Sequence, residues 1–266
     1  MNLPSWRPPG LRSALLYAVL ASLLGAVVTS VCRLEFTRRS ARGGELPQGP
    51  VIVIANHTSF ADGILLALVG RQLGRSLRLM ATGGVFGHPV LGPVLRRLGF
   101  IPVLRGTSSA ADALEVAATA LAAGEAVGLF PEGRITRDPA QWPERSKTGA
   151  VRLALRSGAP IVPVALVGAH QVVGKSRFIA RLLRNTFARP MVRVAVGEPI
   201  DVRRLAGVTT DQQLDDELIR RLADEVMAVL VGQVAEVRGE PAPYPLGVPE
   251  SVVLVATDQR AGAASH

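Results

Sequence analysis

Short apolar, β-branched runs recur along this chain, each followed by a stretch that reads as helix or turn. That alternation limits the fold more than any other feature. Val51 to Ala55, Leu77 to Ala81, Phe100 to Leu104, Ala126 to Phe130 and Pro160 to Val167 have the length of buried strands, too short for core helices. Between them, the residues from Gly63 onward, Ala110 to Ala123 and Lys147 to Leu155 read as helices. Met191 to Val196 alternates Arg193 with apolar neighbours, as an edge or half-exposed strand would. The expectation is an α/β fold: a central, mostly parallel or mixed sheet flanked by helices, with an N-terminal membrane-associated helix. Hydrophobic residues make up 48% of the chain but aromatics only 4%, so the core is expected to be built from Ala, Leu and Val.

The N-terminal helix is the second constraint. Ala14 to Cys32 runs nineteen residues without a charge, preceded by Arg7 and Arg12 and followed by Arg33, Arg38, Arg39 and Arg42. As a helix it measures about 28 Å, near the thickness of a bilayer's hydrocarbon core. A cleaved export signal would carry its strongest positive cluster before the apolar run, whereas here that cluster follows it. The reading is a retained membrane helix, with span and single-leaflet insertion both left open. The positive-inside bias then keeps the remainder of the chain at the cell membrane on the cytoplasmic side. The expected segments are residues 1–45 (membrane helix and linker), 46–206 (α/β domain), 207–238 (C-terminal helix, starting near Asp211 with a Leu214, Leu218, Leu222, Val226 stripe) and 239–266 (a Pro/Gly/Ala-rich tail of low order). Thr82 to Pro93 is punctuated by Gly and Pro, and is expected to form a loop and short helix exposing Val85, Phe86, Val90 and Leu91.

Thirty Lys+Arg against 21 Asp+Glu give a net charge of +9 and a pI near 11.1. This balance suits an anionic partner. The arginines are dispersed and no nucleic-acid-binding motif is present, so nucleic acid is not expected as a partner. A lone Cys32 leaves no intrachain disulfide and no cysteine-rich metal site. From Gly174 to Arg189, basic residues interleave with Phe178, Ile179, Leu182, Leu183 and Phe187. That pattern fits a basic amphipathic segment lying on anionic lipid, and equally a solvated helix face beside core positions.

The chemistry concentrates where apolar runs end. After Val51 to Ala55 come Asn56 and His57, and then Ser59-Phe-Ala-Asp62 with the spacing of a helix start. On one continuous helix, residues five apart lie about 140° apart and do not meet. With the helix beginning between them, the His57 ring can fold back onto Asp62. The carboxylate then fixes the tautomer and leaves the other ring nitrogen as a base, although the same residues also fit a simple helix entry with a capping Asp. Arg105 follows another apolar run, and Glu132-Gly133-Arg134 a third. In a parallel sheet all three converge on one rim, where α/β folds bind ligands. A base beside guanidinium groups suits a substrate carrying a hydroxyl and a phosphate. Gly133 allows close backbone approach, and Lys147 adds either a positive charge or only a helix start.

Taken together, Asn56-His-Thr-Ser-Phe-Ala-Asp62, Gly99-Phe-Ile-Pro-Val-Leu-Arg105, Phe130-Pro-Glu-Gly133 and Ala159-Pro-Ile-Val-Pro-Val164 resemble the four ordered blocks of the glycerolipid acyltransferases typified by 1-acylglycerol-3-phosphate acyltransferase. The resemblance covers about Val51 to Gly197. It implies His57 and Asp62 as a catalytic pair; Arg105, Glu132 and Gly133 in the acceptor site, with Arg134 and Lys147 beside them; and the fourth block on the donor side. It further implies direct transfer of an acyl group to a lysophospholipid hydroxyl, with acyl-CoA or acyl-carrier protein as co-substrate and neither metal nor cofactor. The family commonly has Gly-Thr-Arg-Ser after its Glu, whereas this chain has Gly133-Arg-Ile-Thr136, which shifts the Arg one place. Three rivals stay open at this point: another lysolipid acceptor, a membrane-anchored lipid-binding relative without turnover, and a thioester hydrolase.

Overall fold

The computed structural model describes residues 8–38, 46–104, 107–172, 178–208 and 215–243, with side chains left undescribed at 38, 107–110 and 178–182. In chain order the elements are α1 (Leu11–Val31), β1 (Arg33–Arg38), β2 (Val51–Ala55), α2 (Asp62–Gln72), β3 (Leu77–Thr82), α3 (Gly83–Phe86), α4 (Leu91–Arg97) and β4 (Ile101–Val103). They continue with α5 (Thr107–Ala122), β5 (Ala126–Leu129), α6 (Gly149–Ser157), β6 (Ile161–Val167), α7 (Ala169–Val172), α8 (Phe178–Ala188), β7 (Met191–Val196), α9 (Val202–Ala206) and α10 (Asp216–Arg238). The strands form one seven-stranded sheet in the order β1-β7-β6-β2-β5-β3-β4.

From β6 to β4 every neighbouring pair is parallel. β7 joins β6 antiparallel, and β1 runs parallel to β7. The expected α/β architecture is therefore present, with a mixed sheet. The central strands are apolar throughout because helices cover both faces and leave no solvated side for polar alternation. Residues Val51, Val53 and Ala55 of β2 pack toward α1 and α2, whereas Ile52 and Ile54 pack toward α5, α6 and α10. Period-two alternation thus sorts one strand into two cores.

Two expectations change. Met191 to Val196 is half-exposed, with Met191 and Arg193 open to solvent, but it is not an edge, because Arg33 to Arg38, read as a flanking basic cluster, pairs with it along its whole length. Its apolar residues Leu34 and Phe36 pack on the α1-side core. Phe86 is buried, although Val85, Val90 and Leu91 are exposed as expected; its ring lies under the Arg96 guanidinium. The C-terminal helix begins at Asp216 and packs Leu222, Val226, Leu230 and Val234 into the main core; Asp211 and Leu214 lie outside the described residues, as does the expected tail beyond 243. Arg78, almost fully buried in β3, pairs with Glu125 at 3.0 Å and donates to the Leu98 carbonyl. Arg75 likewise ties the Pro47, Gly49 and Gly124 carbonyls together, which fixes the entry into β2.

Candidate active site

The parallel strands β2, β5, β3 and β4 all end on the same rim. His57 leaves β2 there, and Phe130 to Arg134 leave the neighbouring β5. Asn56 secures the exit. Its side-chain amide donates to the Leu166 carbonyl at 2.9 Å, and its oxygen accepts from the Leu166 N–H at 2.7 Å. The side chain thereby continues the β2–β6 ladder for one more rung. This positioning role carries no sequence signal beyond an Asn beside a strand end.

The His57 ring folds back as its spacing requires, and Nδ1 lies 2.9 Å from Asp62 Oδ2. The same oxygen accepts from the Thr58 and Ser59 amides at 2.6 and 2.7 Å, while Ser59 Oγ accepts from the Ala61 amide at 3.1 Å. Asp62 therefore reaches back over the entry turn as the acid of a capping box, and α2 starts there without another side-chain cap. Asp62 is fully buried. Burial holds its carboxyl above the ordinary value, while the imidazole and the two amides pull the other way. A carboxylate that accepts on this side makes Nδ1 the protonated nitrogen and gives Nε2 the lone pair. Nε2 has no hydrogen-bond partner among the described residues, on a side chain that is 18% exposed.

The third block holds His57 from the other side. Phe130 stacks on the imidazole at 4.1 Å and 15°. Glu132 Oε1 accepts the His57 N–H at 2.9 Å, and the Thr136 N–H donates to the His57 carbonyl at 2.7 Å. Both backbone groups of His57 are thus fixed by residues far away in sequence. The second Glu132 oxygen accepts the Glu144 N–H at 2.9 Å, so the buried carboxylate spans two loops. Burial pushes Glu132 up to about 7, against the lowering effect of the two amides. A carboxylate committed in this way is a positioning group; it presents no charge that would attract phosphate.

Gly133 follows at φ +70°, a left-handed conformation that closes the turn, and the Lys147 side chain lies directly over it: a Cβ there would stand 3.0 Å from Lys147 Cε. Lys147 is exposed, and its N–H donates to the Pro131 carbonyl at 2.8 Å. Arg134 is turned to Glu144, paired at 3.1 Å. The structure thus gathers His57, Asp62, Glu132, Gly133 and Lys147, and engages Arg134 elsewhere. Arg105 lies outside the described residues, two positions after the last residue of β4 in the sequence. A cavity of about 420 Å³ opens behind Asn56 and Thr58, toward α10; His57 does not line it. Among the described residues, no group of three His, Cys, Asp or Glu side chains is placed to hold a metal.

An oriented imidazole on an α/β strand end, clamped by a Phe-Pro-Glu-Gly turn, is an arrangement whose free ring nitrogen can accept a proton. The family comparison narrows this: the acyltransferase family model matches residues 35–167, and the chain belongs to that family. Among curated proteins it is similar to the chloroplastic 1-acyl-sn-glycerol-3-phosphate acyltransferase BAT2 of Brassica napus, with 31% identity over 47% of this chain and 35% of that protein. It is also similar to the 1-acyl-sn-glycerol-3-phosphate acyltransferase of Borreliella burgdorferi, with 26% identity over 65% and 66%. The chain spans about a third of the length of the first curated relatives it matches. Its fold resembles the crystal structure of the 1-acyl-sn-glycerophosphate acyltransferase PlsC of Thermotoga maritima, at a TM-score of 0.61 and 21% identity over 86% of this chain and 82% of that one.

Proposed function

We propose that this chain transfers a fatty acyl group from a thioester, acyl-CoA or acyl-carrier protein, to the free hydroxyl of 1-acylglycerol-3-phosphate, giving phosphatidate. The observation that carries this reading is the 2.9 Å contact between His57 Nδ1 and the buried Asp62, which leaves Nε2 as the available base. His57 takes the hydroxyl proton as the oxygen attacks the thioester carbonyl. The C–S bond then breaks and the carrier leaves as its thiol, with the imidazolium returning the proton. Asp62 stabilises the imidazolium, and the Phe130 stack with the Glu132 and Thr136 clamp keeps the ring in place. Arg105 and Lys147 hold the phosphate, a positioning effect of a kind that is worth several kcal/mol of barrier.

The reading is supported by the family membership and by the activity for which the relatives are named. Membrane association is supported by α1, which is long and apolar enough to meet lipid, and the positive-inside bias supports placing the acyltransferase domain on the cytoplasmic side. An acceptor panel with radiolabelled acyl-CoA and acyl-carrier protein tests it: labelled phosphatidate is expected from the wild-type chain and none from His57→Ala, at equal folded content. Product from another lysolipid alone, free fatty acid without acceptor, or full turnover by His57→Ala would overturn it.

A further inference from the structure

The two helical layers differ in what they show to solvent. The layer formed by α1, α2, α4, α7 and α8 packs on the side of the sheet where His57 lies. Its helices, with α3, contain one acid, Asp62, and that is buried; they also contain Arg12, Arg71, Arg96, Arg97 and Arg184. The opposite layer is balanced: Asp112, Glu115, Asp216, Glu217, Asp224, Glu225 and Glu236 on α5 and α10 stand against Arg152, Arg156, Arg203, Arg204, Arg220, Arg221 and Arg238 on α6, α9 and α10. Exposed large apolar side chains follow the same division. Apart from Met191 at a strand start, they lie on the basic layer or the turns that enter it, and none lies on α5, α6, α9 or α10 among the described residues.

Helix α1 is laid along that layer from end to end. Pro9, just before it, reaches within contact of Gly99 at the start of β4. Tyr17 and Ala21, at mid-helix, are buried against Leu68 and Leu98. At the far end, Arg189 donates to the Thr29 carbonyl at 2.7 Å. Leu11, Leu15, Val19, Leu23 and Val27 repeat every four residues along the outer stripe, all exposed. From Pro9 to Thr29 is about 30 Å of helix, so the domain runs beside the whole length over which a bilayer core would have to lie.

Helix α8 is bound to the same layer. Asn185 is fully buried and donates to the Gln171 and Val172 carbonyls. Its outer side presents Leu183 and Phe187, one turn apart, with Phe187 91% exposed and Arg184 beside them.

We propose that α8 is a second lipid-binding foot which, with α1, rests this basic layer flat on an anionic leaflet, so that α1 inserts into one leaflet and does not cross. Leu183 and Phe187 enter the acyl boundary, the outer arginines meet the phosphates, and the opposite layer, whose charges balance, faces water. Phe60 and Ile64, exposed beside the His57 turn, then bring that rim to the lipid surface. The functional reading shares with this proposal only that α1 meets lipid, and the tests need no turnover.

The first test is flotation of the full chain with vesicles of phosphatidylcholine, alone or with phosphatidylglycerol. Binding should be stronger with the anionic lipid, and Leu183→Asp/Phe187→Asp should weaken it about a hundredfold or more, given the transfer cost of two large side chains, with an unchanged thermal midpoint because both sites are exposed. Undiminished binding by this variant, or indifference to lipid charge, would overturn the second foot. The second test adds Gly10→Cys protein to the outside of sealed vesicles and treats it with a membrane-impermeant maleimide, with the wild-type chain and its buried Cys32 as the blank. Labelling is expected; protection would mean that α1 crosses.

Discussion

Asp62→Asn separates the charge of the carboxylate from its shape. In the folded chain one Asp62 oxygen accepts three donors, namely His57 Nδ1 and the Thr58 and Ser59 amides, while the other has no partner among the described residues. An Asn with its oxygen in the first position keeps all three bonds and places its NH₂ where no acceptor was used. The entry turn and α2 therefore survive the change. What goes is the anion 2.9 Å from the imidazole. At an effective dielectric near 20 that pair is worth at most about 6 kcal/mol. The Asn dipole recovers part of this, which leaves about 3–4 kcal/mol missing when the imidazolium forms, or about 10²–10³ in kcat at 1.36 kcal/mol per decade. Initial rates of acyl transfer against acceptor concentration, from pH 5 to 9, give the readout. A fall in kcat of that size with little change in acceptor KM is expected. A kcat within threefold of wild type would refute the electrostatic role and leave Asp62 as a helix cap.

Two further outcomes follow. Glu132 titrates near 7 in the fold against an ordinary 4.5, so between those values the folded chain holds a proton that the unfolded chain has released; its contribution to stability therefore falls as pH rises through that window, by about 3 kcal/mol in all. Urea denaturation should show that slope in the wild type and its loss in Glu132→Gln; equal slopes would count against the burial argument. Lys147→Ala and Arg105→Ala should raise the acceptor KM about tenfold or more, by removing charge-assisted bonds to phosphate, with kcat changed much less. An unchanged KM in either variant takes that residue out of the phosphate site.

Local physics made much of this protein readable. The β-branched runs from Val51 and Pro160 declared buried strands, and the five-residue spacing from His57 to Asp62 pointed to a ring folded back over a helix start, because a turn decided by neighbouring residues needs no distant partner. Arg33 to Arg38 carried its own signal, Leu34 and Phe36 alternating with polar neighbours, but its charge drew the reading toward a membrane flank. Whether such a segment pairs depends on β7, far along the chain. The Glu132 bond to the His57 amide, the Asn56 rung on Leu166, the turning of Arg134 to Glu144 and the burial of Phe86 depend in the same way on which loops the folded sheet brings together. The apolar character of α1 was fixed by composition; its position along the domain was decided by Tyr17 and Ala21 finding Leu68 and Leu98. Side-chain type sets what a residue can bond, and only the assembled core sets what stands within reach.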